Sequence, residues 1–182
     1  MNALAAYGLL AHALIFGACA VLLPWGLLRH RVALAATTLA LAVGIAPLLH
    51  GAFGVPSLTL LQLAILQLAG KPAPLTAHPA LFVLLFALLF YPLALGWGAF
   101  DPYAAGYQPT ILLGALALLG AWLCWQRQNA WLIILAVDLA GYAGGLFPNL
   151  WDALIDPLLV LLAAVVVGRK GVIGYLSRRK TG

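Results

Sequence analysis

Long runs of apolar residues separated by short polar joints dominate the pattern of this chain. Most of these runs reach the roughly 17–25 residues that a helix needs to cross the hydrocarbon core of a bilayer. The pattern therefore predicts an all-α fold, a polytopic transmembrane bundle of about seven helices with a short third one. The predicted helices are Leu4–Leu28, Val32–Leu49, Ser57–Gly70, Pro79–Ala99, Thr110–Trp125, Ala130–Phe147 and Asn149–Gly168.

The short third run, Ser57–Gly70, decides the predicted topology. As a helix it would be only about 21 Å long. If it crosses the membrane, all nine basic residues of the chain lie on one side, whereas a re-entrant segment would divide them seven against two. The positive-inside rule favours crossing, with the N-terminus outside and the C-terminus in the cytoplasm. We therefore predict that this helix crosses most of the membrane.

The composition supports this class of protein. Hydrophobic residues make up 65% of the chain and charged residues 7%, against about 25% charged residues in a soluble domain. We predict a single transmembrane helical domain over residues 1–168 and a basic cytoplasmic tail over residues 169–182. We expect this multi-pass protein in the bacterial inner (cytoplasmic) membrane.

The partners follow from where the charges lie. The net charge of +5 is explained by basic residues at the cytoplasmic helix ends, so we expect no nucleic-acid partner. We expect the lipid bilayer as the main partner, with anionic lipid at the basic tail. Around the bundle we expect either a homo-oligomer or other membrane subunits.

Four aspartates are the only acidic residues, and three of them lie within predicted helices. A charged group at the bilayer centre costs about 2.5–3.5 kcal/mol on insertion scales, so such residues are retained for a reason. Asp138 lies near the middle of the sixth predicted helix, where helix capping does not explain it, and desolvation favours its neutral form. We predict that it faces the bundle interior beside the seventh helix, within reach of Asp156 directly or through one water.

The seventh predicted helix carries the other two acids. Asp152 and Asp156 are four residues apart, which would place them on one helix face. Asn149 and Asp152 also fit an N-cap followed by a carboxylate in the first turn. Asp156 precedes Pro157, whose missing N–H opens the backbone beside the carboxylate. Each acid thus has a structural interpretation, as a cap or an interhelical contact, beside a functional one, as a cation or proton site.

His12 and Tyr142 complete the candidate substrate- or ion-binding site. His12 lies about one turn outward of the middle of the first predicted helix, at the predicted depth of the acids, and simple packing is the alternative for it. Tyr142 is one turn from Asp138 on the same helix face. The four histidines are expected at different depths, which argues against a haem held by two of them. The sequence indicates no particular cofactor and no metal.

Three functional hypotheses remain. The first is a transporter or channel for a small solute or ion, whose route passes the midplane carboxylates Asp138 and Asp156. The second is a non-catalytic membrane subunit or scaffold of a larger envelope complex, in which the acids hold helices together. A membrane enzyme acting on a lipid is the third, and it is disfavoured because the sequence contains no GxSxG, HExxH or P-loop motif.

The charge pattern makes a topological prediction, with Arg127 in the cytoplasm and the loop Tyr103–Tyr107 in the periplasm. In a variant without native cysteines, Ala105→Cys should react with a membrane-impermeant maleimide in intact cells. Arg127→Cys should react only after the membrane is permeabilised. The opposite labelling pattern would overturn the predicted orientation.

Overall fold

The structure, a computed structural model, describes the backbone of residues 2–181 and the side chains of residues 2–171. All regular elements in this part of the chain are helical, which confirms the predicted all-α class. The α-helices are α1 (Ala3–Ala20), α2 (Arg29–Ala42), α3 (Ile45–Phe53), α4 (Leu58–Leu68), α5 (Ala77–Ala94), α6 (Thr110–Trp125), α7 (Asn129–Ala143), α8 (Leu150–Leu154) and α9 (Pro157–Thr181). Single 3-10 turns occupy Gly26–Leu28 and Ala104–Gly106.

Several of these helices are suited to a bilayer by length and composition. Among the described residues, α1, α5 and the joined stretch Leu150–Gly171 are each long and apolar enough to cross a membrane. Together, α2 and α3 form a bent pair that makes up to a fourth span. The remaining helices α4, α6 and α7 are apolar but shorter.

The second predicted helix is broken. Its two parts, α2 and α3, meet at an angle of 73°, so the prediction of one continuous helix over Val32–Leu49 is wrong. The break lies at Gly44, whose φ of 79° is in the left-handed region that glycine adopts without steric cost. Pro47 then falls in the first turn of α3, where its missing N–H removes no helical hydrogen bond.

The first predicted helix is shorter than Leu4–Leu28, because α1 ends at Ala20. Pro24 has no N–H to donate to the carbonyl of Ala20, four residues earlier, and its ring would clash with that carbonyl. The indole N–H of Trp25 donates to the Ala20 carbonyl instead, at 2.7 Å. A side chain thus replaces the hydrogen bond that proline removes, and the chain turns toward α2.

The other boundaries agree with prediction to different degrees. The predicted Thr110–Trp125 is identical to α6. In contrast, α5 ends at Ala94 and α7 ends at Ala143, each before a glycine-rich segment into which the prediction continued the helix. The last helix, α9, continues beyond residue 168, so its backbone includes most of the predicted tail. The expected contact of the tail with anionic lipid also depends on side chains after residue 171, outside the described part.

The short helix α4 lies at the centre of the bundle, in contact with α1, α7, α8 and α9. Its Leu60 and Leu63 are buried in a core cluster with Ile134, Leu159 and Ala163. On the outside of this core, α5 packs against α9 and α6 packs against α7. The short helix therefore contacts helices from both halves of the chain.

Both ends of α4 are tied to the first two helices. At its N-terminal end, the Tyr7 hydroxyl of α1 donates to the Pro56 carbonyl at 3.0 Å. At its C-terminal end, the Arg29 guanidinium at the start of α2 donates to the Gln67 carbonyl. The N-terminal end of α4 therefore lies beside the second turn of α1, and its C-terminal end lies beside the first turn of α2.

The outward faces of the bundle are strongly apolar. Phe82 and Leu89 on α5 are 73% and 70% exposed, and Ile111 and Leu118 on α6 are 87% and 75% exposed. Soluble monomers rarely expose contiguous apolar surface on this scale. Surrounding lipid would cover these faces without cost, in keeping with the apolar helices of candidate spanning length.

Candidate functional site

Asp156 lies at a break in the chain, and only 5% of it is exposed. The residue before it, Ile155, is extended (φ −145°, ψ 141°), so α8 ends there and α9 begins at Pro157. The prediction of one continuous helix over Asn149–Gly168 is therefore wrong. Proline is favoured as the first residue of a helix because the N–H that proline lacks would have no helical partner at that position. The Asp-Pro pair starts a new helix and does not merely loosen an existing one.

The Asp156 carboxylate joins two helix N-termini. Its Oδ1 accepts from the backbone N–H groups of Leu158 at 2.7 Å and Leu159 at 3.0 Å, as an N-cap of α9. Its Oδ2 accepts from the backbone N–H of Ser57 at 2.6 Å. Ser57 is itself the N-cap of α4, where its hydroxyl accepts from the Leu60 N–H at 3.2 Å. One side chain thus fixes the start of α4 against the start of α9.

Asp138 binds the next turn of α4. It is 1% exposed and faces the bundle interior, as predicted. Its Oδ2 accepts from the Thr59 hydroxyl at 2.6 Å, and its Oδ1 accepts from the Gln62 side-chain amide at 2.9 Å. The same Gln62 amide nitrogen also donates to the Ile134 carbonyl at 3.2 Å. The partner of Asp138 is therefore α4, whereas the sequence had suggested the last helix.

Asp138 and Asp156 are brought to the same short segment of α4 without bonding to each other. Over the described residues no hydrogen bond joins the two carboxylates, so the direct contact offered by the prediction is not formed. They are linked through Ser57 and Thr59, two residues apart at the start of α4. The sequence analysis missed these partners and Gln62. The sequence contains a pattern that indicates two of these partners, because the polar residues Thr59 and Gln62 are three positions apart in an apolar run and share one helix face.

Asp152 belongs to a separate cluster at the loop between α5 and α6. Both of its oxygens lie within hydrogen-bonding distance of the Tyr103 hydroxyl, at 3.0 and 3.1 Å. Because the chain is extended at Ile155, Asp152 and Asp156 are not one turn apart on a single helix face, and that prediction is wrong. Burial, followed by the negative charge of Asp152, raises the pKa of Tyr103. The phenol therefore keeps its proton at neutral pH and remains the donor.

Asn149 fixes the same loop and acts as the predicted N-cap. Its Oδ1 accepts from the Trp151 backbone N–H at 2.9 Å, which confirms the capping role. Its amide donates to the Tyr103 carbonyl at 3.0 Å, and the Trp151 indole donates to the Pro102 carbonyl at 2.9 Å. These contacts hold the α5–α6 loop over the start of α8.

His12 is completely buried, and its aromatic neighbour is His50 of α3. The two ring centroids are 5.8 Å apart with the rings nearly perpendicular, so the expectation that these histidines lie at different depths is wrong. His12 Nδ1 bonds to the Gly8 carbonyl at 2.8 Å, and His50 Nδ1 bonds to the Gly54 carbonyl at 3.0 Å. His12 Nε2 is buried without a hydrogen-bond partner among the described atoms. This geometry ties α1 to α3 and does not bond His12 to the acids.

Tyr142 is partly buried and packs against the apolar cluster formed by α6, α7 and α8. That cluster includes Leu112 and Leu150. The hydrogen-bond partners of Asp138 come from α4 instead. Over the described residues no hydrogen bond joins Tyr142 to Asp138, although the two residues are one turn apart on α7.

The first cavity, of about 340 Å³, lies between α5 and the α8–α9 break. Asp152, Asp156 and Tyr103 contribute polar groups to its lining, which is otherwise largely apolar. The two acids of the seventh predicted helix therefore face a common space although the helix between them is broken. We call this space the loop-side cavity.

The second cavity, of about 410 Å³, lies between α5, α6 and α7. Thr59 and Asp138 are in its lining, and the other lining residues are apolar or aromatic. We call it the α5–α6 cavity. Trp151 and Ile155 line both this cavity and the loop-side cavity, so the α8–α9 break lies between the two spaces.

The chemistry available at this site is that of carboxylates in apolar surroundings. An ionised carboxylate accepts hydrogen bonds and attracts a cation, and a protonated one donates a hydrogen bond. No group of three or more His, Cys, Asp or Glu side chains that could hold a metal ion occurs in the described part of the chain. Buried carboxylates in this arrangement are suited to exchanging a proton or binding a cation.

The chain matches no protein-family model, no curated protein and no solved structure.

The contacts of Asp156 predict a large effect of its removal on stability. Asp156→Ala would remove the cap of α9 and leave the buried Ser57 N–H unpaired, so we expect a loss of about 2–4 kcal/mol. Asp101→Ala is the matched control, because Asp101 is exposed and accepts from one backbone N–H, that of Tyr103 at 2.9 Å. It should cost about 0.5–1 kcal/mol. Unfolding in mixed micelles measures both, and equal losses would contradict the central role of Asp156.

Proposed function

We propose that the protein is an integral transporter of a small solute or ion, located in the bacterial inner membrane. Its route passes from the loop-side cavity, along the α8–α9 break, to the α5–α6 cavity. The observation that carries this proposal is that both cavities contain carboxylates and share Trp151 and Ile155. Two cavities that each contain a carboxylate, on either side of one broken helix, suit a substrate that moves between them.

The helix breaks support the same proposal. Non-helical backbone within a membrane is tolerated where it is buried in protein or lines a cavity, and discontinuous helices form the substrate sites of many transporters. The extended Ile155 lies in such a break and lines both cavities. The Ile155 N–H already donates to the Trp151 carbonyl at 2.9 Å, so the Ile155 carbonyl is the backbone group of this break that a passing solute would meet.

The contacts at both ends of α4 support the proposed topology. Arg29 and Gln67 meet at one end of the bundle, and Lys71 follows shortly after Gln67. This contact supports a common side for the basic joints before α2 and after α4, in agreement with the positive-inside rule. We propose that this is the cytoplasmic side, with the N-terminus and the Tyr103 loop on the other.

A transport route predicts water access to the α8–α9 break. With Cys19 and Cys124 replaced by serine, Ile155→Cys should react with a small, charged thiol reagent added to sealed vesicles from the side of the Tyr103 loop, because thiolates form readily only in water. Leu63→Cys is the matched control, since Leu63 is 3% exposed and lines neither cavity. It should not react. A folded Ile155→Cys protein that is unreactive from both sides would overturn the proposed route.

A second candidate function is a non-catalytic membrane subunit or scaffold. The observation that favours it is that all four carboxylate oxygens of Asp138 and Asp156 already accept hydrogen bonds from the protein. Satisfied carboxylates of this kind hold helices together and need no ligand. The strongly apolar outer faces would then contact other chains as well as lipid.

Purification in a mild detergent tests the scaffold function. A scaffold should co-purify with foreign membrane chains in a fixed stoichiometry. Asp138→Asn, which retains hydrogen bonding to Thr59 and Gln62, should leave that assembly intact. Recovery of the protein alone, as a monomer or homo-oligomer, would contradict the scaffold function and favour transport.

A further inference from the structure

We propose that the α5–α6 cavity binds a small apolar molecule carrying one ammonium group, and that this molecule enters sideways from the lipid. The inference rests on the proposed function and names the substrate class for its route. It depends on the size of the cavity, on the isolated carboxyl group in its lining and on the side from which it opens.

The size of the cavity favours a small molecule. The cavity has a volume of about 410 Å³. Binding cavities for small molecules commonly have volumes of about 300–1,000 Å³.

The charge of the cavity favours an ammonium group. Asp138 is the one acidic residue in the lining, the lining contains no lysine, arginine or histidine, and Thr59 supplies the other polar group. Each Asp138 oxygen accepts one hydrogen bond from α4, and a carboxylate oxygen has two lone pairs. Acceptor capacity thus remains for an N–H donor. A buried carboxylate without a cationic partner is complementary to a ligand that brings one.

The mouth of the cavity lies between α5 and α6. Over the described residues no extensive contact joins these two helices, since α5 packs against α9 and α6 against α7, and the space between α5 and α6 is lined mainly by apolar side chains. Phe82 on α5 is largely exposed at this mouth, whereas Leu112 and Leu116 on α6 are buried deeper within it. In the proposed bilayer this opening faces the acyl chains, so an amphiphile reaches Asp138 without first crossing water.

Binding is an exchange of charge at Asp138. If the acid is protonated when the cavity is empty, the incoming ammonium forms an ion pair with the carboxylate and one proton leaves to water. The charge of the site is then unchanged, because one positive charge enters and one leaves. Conversely, reprotonation of the acid releases the amine, which couples movement of the solute to movement of a proton.

The test compares two nitroxide-labelled probes, a long-chain primary amine and the alcohol of the same chain, added to the purified full-length protein in detergent. Trp131 and Trp151 line the cavity, so a bound nitroxide quenches their fluorescence. We expect the amine to bind at least about tenfold more tightly than the alcohol, since a hydrogen bond to a charged group contributes about 1.5–3 kcal/mol. Equal affinities would mean that any acyl chain fills the cavity, and would overturn the proposal.

Three variants make the result specific. In Asp138→Asn the preference for the amine should fall to about onefold, and in Asp101→Asn, the exposed control, it should remain at about tenfold. Leu116→Trp, which fills the cavity without changing its charge, should abolish binding of both probes. If the preference for the amine persists in Asp138→Asn, the assignment of Asp138 as the ammonium-binding group is wrong. If that variant does not fold, the ratio of amine to alcohol affinity measured on the unaltered protein still tests the proposal. Because labelling of Ile155→Cys tests the route without any amine, failure of the ligand class and failure of the transport function are distinguishable.

Discussion

The hydrogen bonds from Asp156 and Asp138 to the first two turns of α4 are the interaction on which this structure depends. The short helix is mostly apolar, and its 11 residues extend only about 16 Å. The carboxylates supply acceptors for a backbone N–H and a hydroxyl that would otherwise be buried and unpaired, and for a side-chain amide that also donates to a backbone carbonyl. Four other helices pack around the segment fixed in this way, so these two side chains fix the helix that lies at the centre of the bundle.

Much of the fold follows from local information in the sequence. The apolar runs locate the helices, and α6 was predicted at both ends because Pro109 precedes it and a polar turn follows it. The Asn149 cap was also predictable, since an N-cap is satisfied within its own first turn. Burial of Asp138 followed from the energetic cost of exposing a carboxyl group to lipid. These properties require no knowledge of which helices are neighbours.

The remaining features depend on contacts that are distant in the sequence. Asp138 meets a residue 79 positions away, and Asp156 meets one 99 positions away, so periodicity within one helix does not identify either partner. The pairing of His12 with His50 depends in the same way on how α1 and α3 cross. The break before Pro157 was locally ambiguous, because Asp-Pro fits both a kinked helix and the start of a new one. Contact with Ser57 stabilises the second arrangement.

The convergence of α4 and α9 on Asp156 has a consequence for anions at the starts of these two helices. The N-terminus of a helix carries a partial positive charge of about half an elementary unit, and free N–H groups there attract anions. Here that position is taken by a carboxylate supplied by the chain itself. A tethered anion of this kind acts as an internal counter-ion at both helix ends. A dissolved anion would have to displace it to reach the backbone N–H groups of Ser57, Leu158 and Leu159.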